Sequence, residues 1–371
     1  MITRITESFA QQVAADACQI QQIPAPTFHE GKRAVWMCDV FNARGLQDVQ
    51  MDATGNVYAR IPGGSDRPLV VSAHLDTVHP LTTDLSLQIT PSRISGPGIG
   101  DNALGLAGLL AISEMFKDLP NHLPGDIWLA ANVCEEGLGD LRGAQALVNR
   151  FSDLPKAYLF LEGMGLGRIF HRGLGVIRYR ITLNTPGGHS WANFGTPSAI
   201  HEMARLIQQI TNLTLPSHPR TTYNIGVIHG GTSINTIASE ASIELDLRSE
   251  SANNLSNLQK RVLQIVDRFQ AGDVTTTAEM IGMRPAGEIG ADHPLVLLTA
   301  RCYEELGVQA QTGIASTDAN IALSRRFPAV CIGLTEGARA HTAEEYIELA
   351  PLTCGLTALR ELILRVWKHV N

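Results

Sequence analysis

The sequence predicts an α/β protein interrupted by an inserted α+β sandwich. Three observations lead there. First, short apolar runs alternate with longer amphipathic segments along most of the 371 residues, the rhythm of strands alternating with helices. Second, the runs at 68–74, 126–133, 157–162 and 328–334 are almost continuously apolar, as strands buried on both faces of a sheet are. Helices are expected between them at about 102–117, 141–150, 293–305 and 351–368. Third, the pattern changes in the middle of the chain. Ile177, Tyr179, Ile181 and Leu183 alternate with Arg178, Arg180 and Thr182, and Ile243, Leu245 and Leu247 alternate with Glu244, Asp246 and Arg248. Half-buried strands with two amphipathic helices, at about 197–212 and 253–269, describe a small sandwich with one wet sheet face. The expected domains are 1–175 with 285–371, and 176–284 as the insert.

Bulk properties narrow the function. A chain of this length exceeds what one core usually supports, which agrees with two domains. The net charge of −7 argues against a nucleic-acid binder, which needs a basic face. Polar residues break every apolar run of the first 22 residues, so neither a secretory leader nor, further on, a segment of membrane-spanning length is expected. Six cysteines, at 18, 38, 134, 302, 331 and 354, form no CxxC pair. A soluble cytoplasmic protein with reduced thiols is the expectation.

The chemistry gathers at strand ends and the loops beside them. His74-Leu-Asp76 closes an apolar run, and residues i and i+2 of a strand point to one side, so imidazole and carboxylate can meet. A carboxylate on the second ring nitrogen fixes the tautomer of a metal-binding histidine, although such a pair taken alone is more often fortuitous. The loop Gly96-Pro-Gly-Ile-Gly-Asp101 runs into an apolar helix without the lysine of a phosphate-binding loop. Asp101 either caps that helix or is pushed by the turn into a cleft. Glu135-Glu136 follow the run 126–133, and open α/β sheets place their sites at the carboxyl ends of strands, which suits one as a ligand and the other as a base. Glu162 ends the run 157–162 and His341 follows the run 328–334, and each alone reads as a solvated loop residue. Together His74, Asp101, Glu136, Glu162 and His341 are two histidines and three carboxylates, a donor set suited to zinc. One carboxylate can bridge two ions, leaving Glu135 as a base.

In this order the motifs resemble those of the metallopeptidase family of peptidase T, bacterial glutamate carboxypeptidase, aminoacylase and succinyl-diaminopimelate desuccinylase. The matching pieces are HxD at 74–76, GxGD at 98–101, EE before glycine at 135–137, an acid after an apolar strand at 162, and HxxxE at 341–345. The resemblance covers nearly the whole chain. It implies a mixed-sheet zinc exopeptidase catalytic domain with an inserted lid and dimerisation domain, and two zinc ions per chain, or another divalent metal such as cobalt or manganese. It implies Asp101 as the bridging ligand, His74 and Glu162 on one ion, Glu136 and His341 on the other, Glu135 as the base and Asp76 as the partner of His74. In the insert, Pro186-Gly-Gly-His189-Ser resembles the lid histidine motif that helps bind the reacting carbonyl. Gly230-Gly-Thr-Ser-Ile-Asn235 resembles a substrate-contacting segment, and Leu245-Asp-Leu-Arg248 a strand with a carboxylate-binding arginine. Without the resemblance, His189 is a turn histidine and Arg248 a solvated strand residue.

The sequence also departs from the pattern. Asn102, Ala103 and Leu104 follow Asp101 where many relatives carry an acid or methionine, then lysine and glycine. Glu162 is typical of the carboxypeptidase and deacylase branches, whereas Ser316-Thr-Asp318-Ala-Asn320 and Ile281-Gly-Met-Arg-Pro-Ala-Gly287 resemble the peptidase-T-like branch, taken here as the nearest. The expected reaction is hydrolysis of a peptide or amide bond in a di- or tripeptide, by a water held between two zinc ions with Glu135 as general base. Within the family the alternative is an N-acyl-amino-acid deacylase or carboxypeptidase; outside it, a catalytically silent binder of small ligands. The expected partners are a short peptide or N-acyl amino acid and a second copy of the chain, met through the insert, with no nucleic acid and no membrane.

Overall fold

The computed structural model describes residues 2–117 and 123–370. Two compact units emerge, Met1–Gly173 with Glu288–Asn371, and Leu174–Gly287.

In the first unit, nine strands among the described residues form one mixed sheet. Its centre is parallel. Asp66–His74 lies between Gly125–Asn132 and Ala157–Met164, and Ala329–Thr335 runs beside Ala157–Met164. Val57–Ile61 and Arg168–Gly173 join antiparallel to Gly125–Asn132 and Ala329–Thr335. Every residue from Leu69 to His74, and every residue of Ala329–Thr335, is buried, which is why these strands read as unbroken apolar runs rather than alternating ones. Because the four central strands run the same way, their carboxyl ends share one edge. Ala157–Met164 continues two residues beyond the expected end, so Glu162 sits inside the strand.

One expectation needs correction. The helical stretch Ile99–Phe116 has the length and hydropathy of a membrane span, although 83% of it is buried inside the protein. Its Leu106, Leu109, Leu110 and Ile112 belong to the same core as Leu69, Val71, Leu129 and Leu159. A helix packed on all sides is apolar all round, so a core helix passes the same test of composition as a membrane helix.

The second unit is an antiparallel sheet in the order Thr221–Gly230, Glu240–Ser249, Gly175–Asn184, Thr275–Arg284. Helices Ala199–Thr211 and Ala252–Arg268 supply Met203, Leu206, Leu258 and Val262 to a core with Ile181, Ile243 and Leu245. The alternate residues make cross-strand ion pairs: Arg178 to Asp246 at 3.1 Å and Arg180 to Glu244 at 2.9 Å. Both pairs face each other in register. Such half-exposed pairs add little stability each, but they keep this face wet and fix which residues turn inward.

Candidate metal centre

The shared carboxyl edge positions the functional side chains. His74 ends its strand, Glu135 and Glu136 come three and four residues after Asn132, and His341 occupies the loop beyond Thr335. Asp101 arrives from the other direction, on the irregular turn Ile99–Leu104 that leads into helix Gly105–Phe116. That turn can approach only because of glycine. A Cβ on Gly163 would lie 2.2 Å from the carbonyl oxygen of Gly100, so a side chain there would push Asp101 away from the strand of Glu162.

The Asp101 carboxylate is shared between two histidines. Its Oδ1 is 3.2 Å from His74 Nε2, and its Oδ2 is 3.1 Å from His341 Nε2. Glu162 Oε2 lies 3.5 Å from His74 Nε2, and Glu136 Oε1 lies 3.2 Å from His341 Nε2. Two donor groups result, His74 with Asp101 and Glu162, and Asp101 with Glu136 and His341, with the donor atoms of each group within 4.8 Å of one another. Donor atoms of His74, Glu135 and Glu136 also lie within 4.8 Å of one another, which places Glu135 at this centre too.

The charges show how the donors act on one another. Burial works against a charged His74, yet Glu162, Asp101 and Asp76 outweigh it and hold the ring well above its usual pKa. Hydrogen bonds from His341 to Asp101 and Glu136 raise that imidazole to about 10. Burial likewise opposes the Asp101 carboxylate, but His341 and His74 keep it well below the ordinary range. Clustered carboxylates here draw protons onto both imidazoles; a cation in each donor group would supply that positive charge instead. Nitrogen and carboxylate donors in this number fit two divalent ions, with Asp101 between them.

The surroundings hold the donors in place. The nearer Asp76 atom to His74 Nδ1 is its backbone carbonyl oxygen, at 3.0 Å; the carboxylate is 3.5 Å away. A neutral ring donating from Nδ1 turns the lone pair of Nε2 toward Asp101 and Glu162. The Asp76 carboxylate instead accepts the backbone N–H groups of Glu135 at 2.9 Å and Glu136 at 2.8 Å, together with the Thr27 hydroxyl at 2.9 Å. Asp76→Ala is therefore expected to weaken metal affinity by about 10–100-fold, measured by competition with a chelator. Unchanged affinity would show that the Glu135–Glu136 turn holds itself.

Glu345 closes the HxxxE motif, and the sequence suggested no task for it. Its buried carboxylate accepts from the backbone N–H groups of Gly100 at 2.6 Å and Asp101 at 2.8 Å, anchoring the Asp101 turn. Burial, with the Asp101 charge beside it, pushes Glu345 up to about 7. Buried Arg33 ties Leu75 to Ile23 through their carbonyl oxygens, and Glu30 accepts the N–H of Cys134. The HxxxE match singles out Glu345 without giving it this role, and nothing in the sequence points to Arg33 or Glu30.

The remaining three candidates lie in the second unit. His189 pairs with Thr236, and the N–H of Ser190 bonds to the carbonyl oxygen of Asn235, so the two motifs are neighbours. His189 Nδ1 accepts from the backbone N–H groups of Trp191 at 3.2 Å and Ala192 at 3.4 Å. A neutral ring then carries its proton on Nε2. Arg248 is held by Asp246 at 2.7 Å. It stands eight residues along its strand from Glu240, where the His189–Asn235 segment joins, a separation of roughly 26 Å at the usual strand rise. The structure therefore brings His189 and Asn235 together and sets Arg248 apart from them.

Comparison with known proteins agrees with this architecture. The sequence pattern of Peptidase family M20/M25/M40 matches residues 70–365. The alkaline phosphatase isozyme conversion protein of Escherichia coli (strain K12) is 29% identical over 154 residues, covering 41% of this chain and 43% of that protein, so the chain spans less than half of that relative. The succinyl-diaminopimelate desuccinylase of Nitrosomonas europaea is 28% identical over 313 residues, covering 77% of this chain and 81% of that protein. In fold, the chain is similar to the crystal structure of a tripeptidase from Staphylococcus aureus subsp. aureus Mu50, with a TM-score of 0.82 at 22% identity, covering 99% of this chain and 100% of that one.

Proposed function

The chain belongs to Peptidase family M20/M25/M40, and from that premise we propose that it hydrolyses a peptide or amide bond of a short peptide, using two divalent ions, zinc by its donor chemistry, and Glu135 as general base. One observation carries the reading. A single carboxylate, Asp101, faces two histidines, each accompanied by its own glutamate, and Glu135 stands at the same centre.

Divalent ions bound there supply Lewis acidity, which draws charge from a carbonyl oxygen and lowers the pKa of water toward about 7. His74, Asp101 and Glu162 would hold one ion, and Asp101, Glu136 and His341 the other. Glu135, its backbone N–H fixed by Asp76, takes a proton from the attacking water as the C–O bond forms. It returns that proton to the amine as the C–N bond breaks. His189, protonated on Nε2, donates to the carbonyl oxygen as negative charge grows there. Arg248 would exchange Asp246 for a substrate carboxylate, and Asn235 would hold the substrate backbone.

The test is metal-loaded activity on a panel of di- and tripeptides beside N-acetyl and N-succinyl amino acids. Peptide turnover supports the reading. Turnover of acyl amino acids alone would replace it with deacylation, a second reading favoured by the desuccinylase relative and by glutamate at position 162. No turnover of any kind would overturn both. About two divalent ions per chain are expected by elemental analysis after reloading; a plateau at one or fewer defeats the shared-carboxylate site.

The same reading makes Leu174–Gly287 a lid that pairs two copies of the chain. Its support is exposed apolar surface beside His189, where Trp191 and Phe194 are 88% and 91% exposed, and the edge position of Thr221–Gly230. The six cysteines are unpaired thiols, which supports a cytoplasmic setting.

A further inference from the structure

The segment before the second helix makes a tight turn at an unexpected residue. The N–H of His29 bonds to the carbonyl oxygen of Pro26 at 2.8 Å, closing the turn Pro26-Thr27-Phe28-His29. Phe28, its third residue, has a φ of 73°. That position in such a turn ordinarily takes glycine, because a side chain is strained at positive φ. The Phe28 side chain gains little from burial in return, since the residue is 52% exposed. A backbone outlier that the interior does not repay invites a functional explanation.

The surroundings supply one. The turn is clamped to the segment that carries His74 and Asp76. The Thr27 hydroxyl donates to Asp76 Oδ2, the oxygen that also accepts the N–H of Glu136, and the N–H of Thr77 donates to the carbonyl oxygen of Ala25. On its other side the Phe28 ring meets the Arg142 guanidinium, 5.1 Å from its centroid. Arg142 opens the helix that follows the Glu135–Glu136 turn, and it has no carboxylate partner among the described residues. A cation over one face of an aromatic ring orients the ring while leaving its remaining surface open.

We propose that Phe28, oriented by Arg142, is a specificity-determining residue that contacts a bulky apolar side chain, best an aromatic one, on the substrate residue next to the scissile bond. The inference deepens the hydrolase reading and rests on it. Aromatic pairs gain from edge and offset contacts beyond simple burial, and the half-exposed Phe28 ring, next in sequence to the Thr27 that bonds to Asp76, offers such contacts.

The test compares wild type, Phe28→Gly and Phe28→Tyr on two substrate pairs, Phe-Gly-Gly with Gly-Gly-Gly, and N-acetylphenylalanine with N-acetylglycine. Glycine suits the backbone at this position, so Phe28→Gly should keep the thermal midpoint and metal content of wild type. It should lower kcat/KM for the aromatic member of each cleaved pair by roughly 10-fold, mainly through KM, and leave the glycine member unchanged. Phe28→Tyr should retain the aromatic preference. Equal loss on both members, no change on either, or a wild type without aromatic preference overturns the inference while the hydrolase reading stands. A metal-loaded wild type that cleaves none of the four, but does cleave other peptides or acyl amino acids, overturns the inference alone. Inactivity on every substrate overturns both.

Discussion

Glu135→Ala is expected to lower turnover by about 10²–10⁴-fold, the usual contribution of a positioned general base, while metal content stays near that of wild type. Glu136→Ala is expected to lose metal first and activity as a consequence. The division rests on geometry. Both glutamates share a donor group with His74, but Glu136 also has an oxygen 3.2 Å from His341 Nε2 and thereby joins the group around the second histidine. Both backbones are gripped by one carboxylate, that of Asp76, so truncating either side chain leaves the turn fixed. Elemental analysis and single-turnover kinetics on the same preparations decide the matter. Equal metal loss in the two variants would show that the adjacent acids are both ligands, and the base would have to be sought elsewhere.

What the sequence discloses follows from range. The strands around His74 and Thr335 were legible because burial on both faces writes itself into every residue of a run. The two-residue alternation of 177–183 was legible because its sheet has one wet face, held by Arg178 and Arg180 against Asp246 and Glu244. Local pattern also brought His74, Glu135 and Glu136 to notice, as polar residues breaking out at the ends of apolar strands. Asp101 was open to two readings, because a carboxylate at a helix entrance looks the same whether it caps or coordinates. What separates them is the strand of Glu162, 61 residues on, approached through Gly100 and Gly163. The anchors were hidden for the same reason. Glu345 grips a turn 244 residues away, and Thr27 reaches Asp76 across 49. A hydrogen bond between distant residues leaves no periodicity to read, only an acid or a hydroxyl of ordinary type. The membrane-length stretch at Ile99–Phe116 is the converse case, in which composition is explicit and only packing tells what it means.

Mixing inactive Glu135→Ala chains with inactive His189→Ala chains is expected to restore activity, to about a quarter of wild type for equal amounts exchanging freely in a two-fold dimer. The argument starts within the second unit. His189 and Asn235 meet at one end of the strand Glu240–Ser249 and Arg248 stands near the other, roughly 26 Å away at the strand rise. A di- or tripeptide extends about 7–11 Å at the reach of an extended chain. One short substrate therefore cannot touch His189 and Arg248 of the same chain, and if both act on it, one must come from a second copy. The exposed Trp191 and Phe194 next to His189 are where such a copy would bury apolar surface. In a mixed dimer, the centre with an intact Glu135 then receives an intact His189 from its neighbour, while the other centre lacks both. Half of the dimers are mixed and half of their centres are whole, which gives the quarter. If His189 serves its own chain, no centre in the mixture is whole and activity stays at background. A strictly monomeric yet fully active enzyme would defeat the reading from the other side, because Arg248 or His189 would then have no part in holding the substrate.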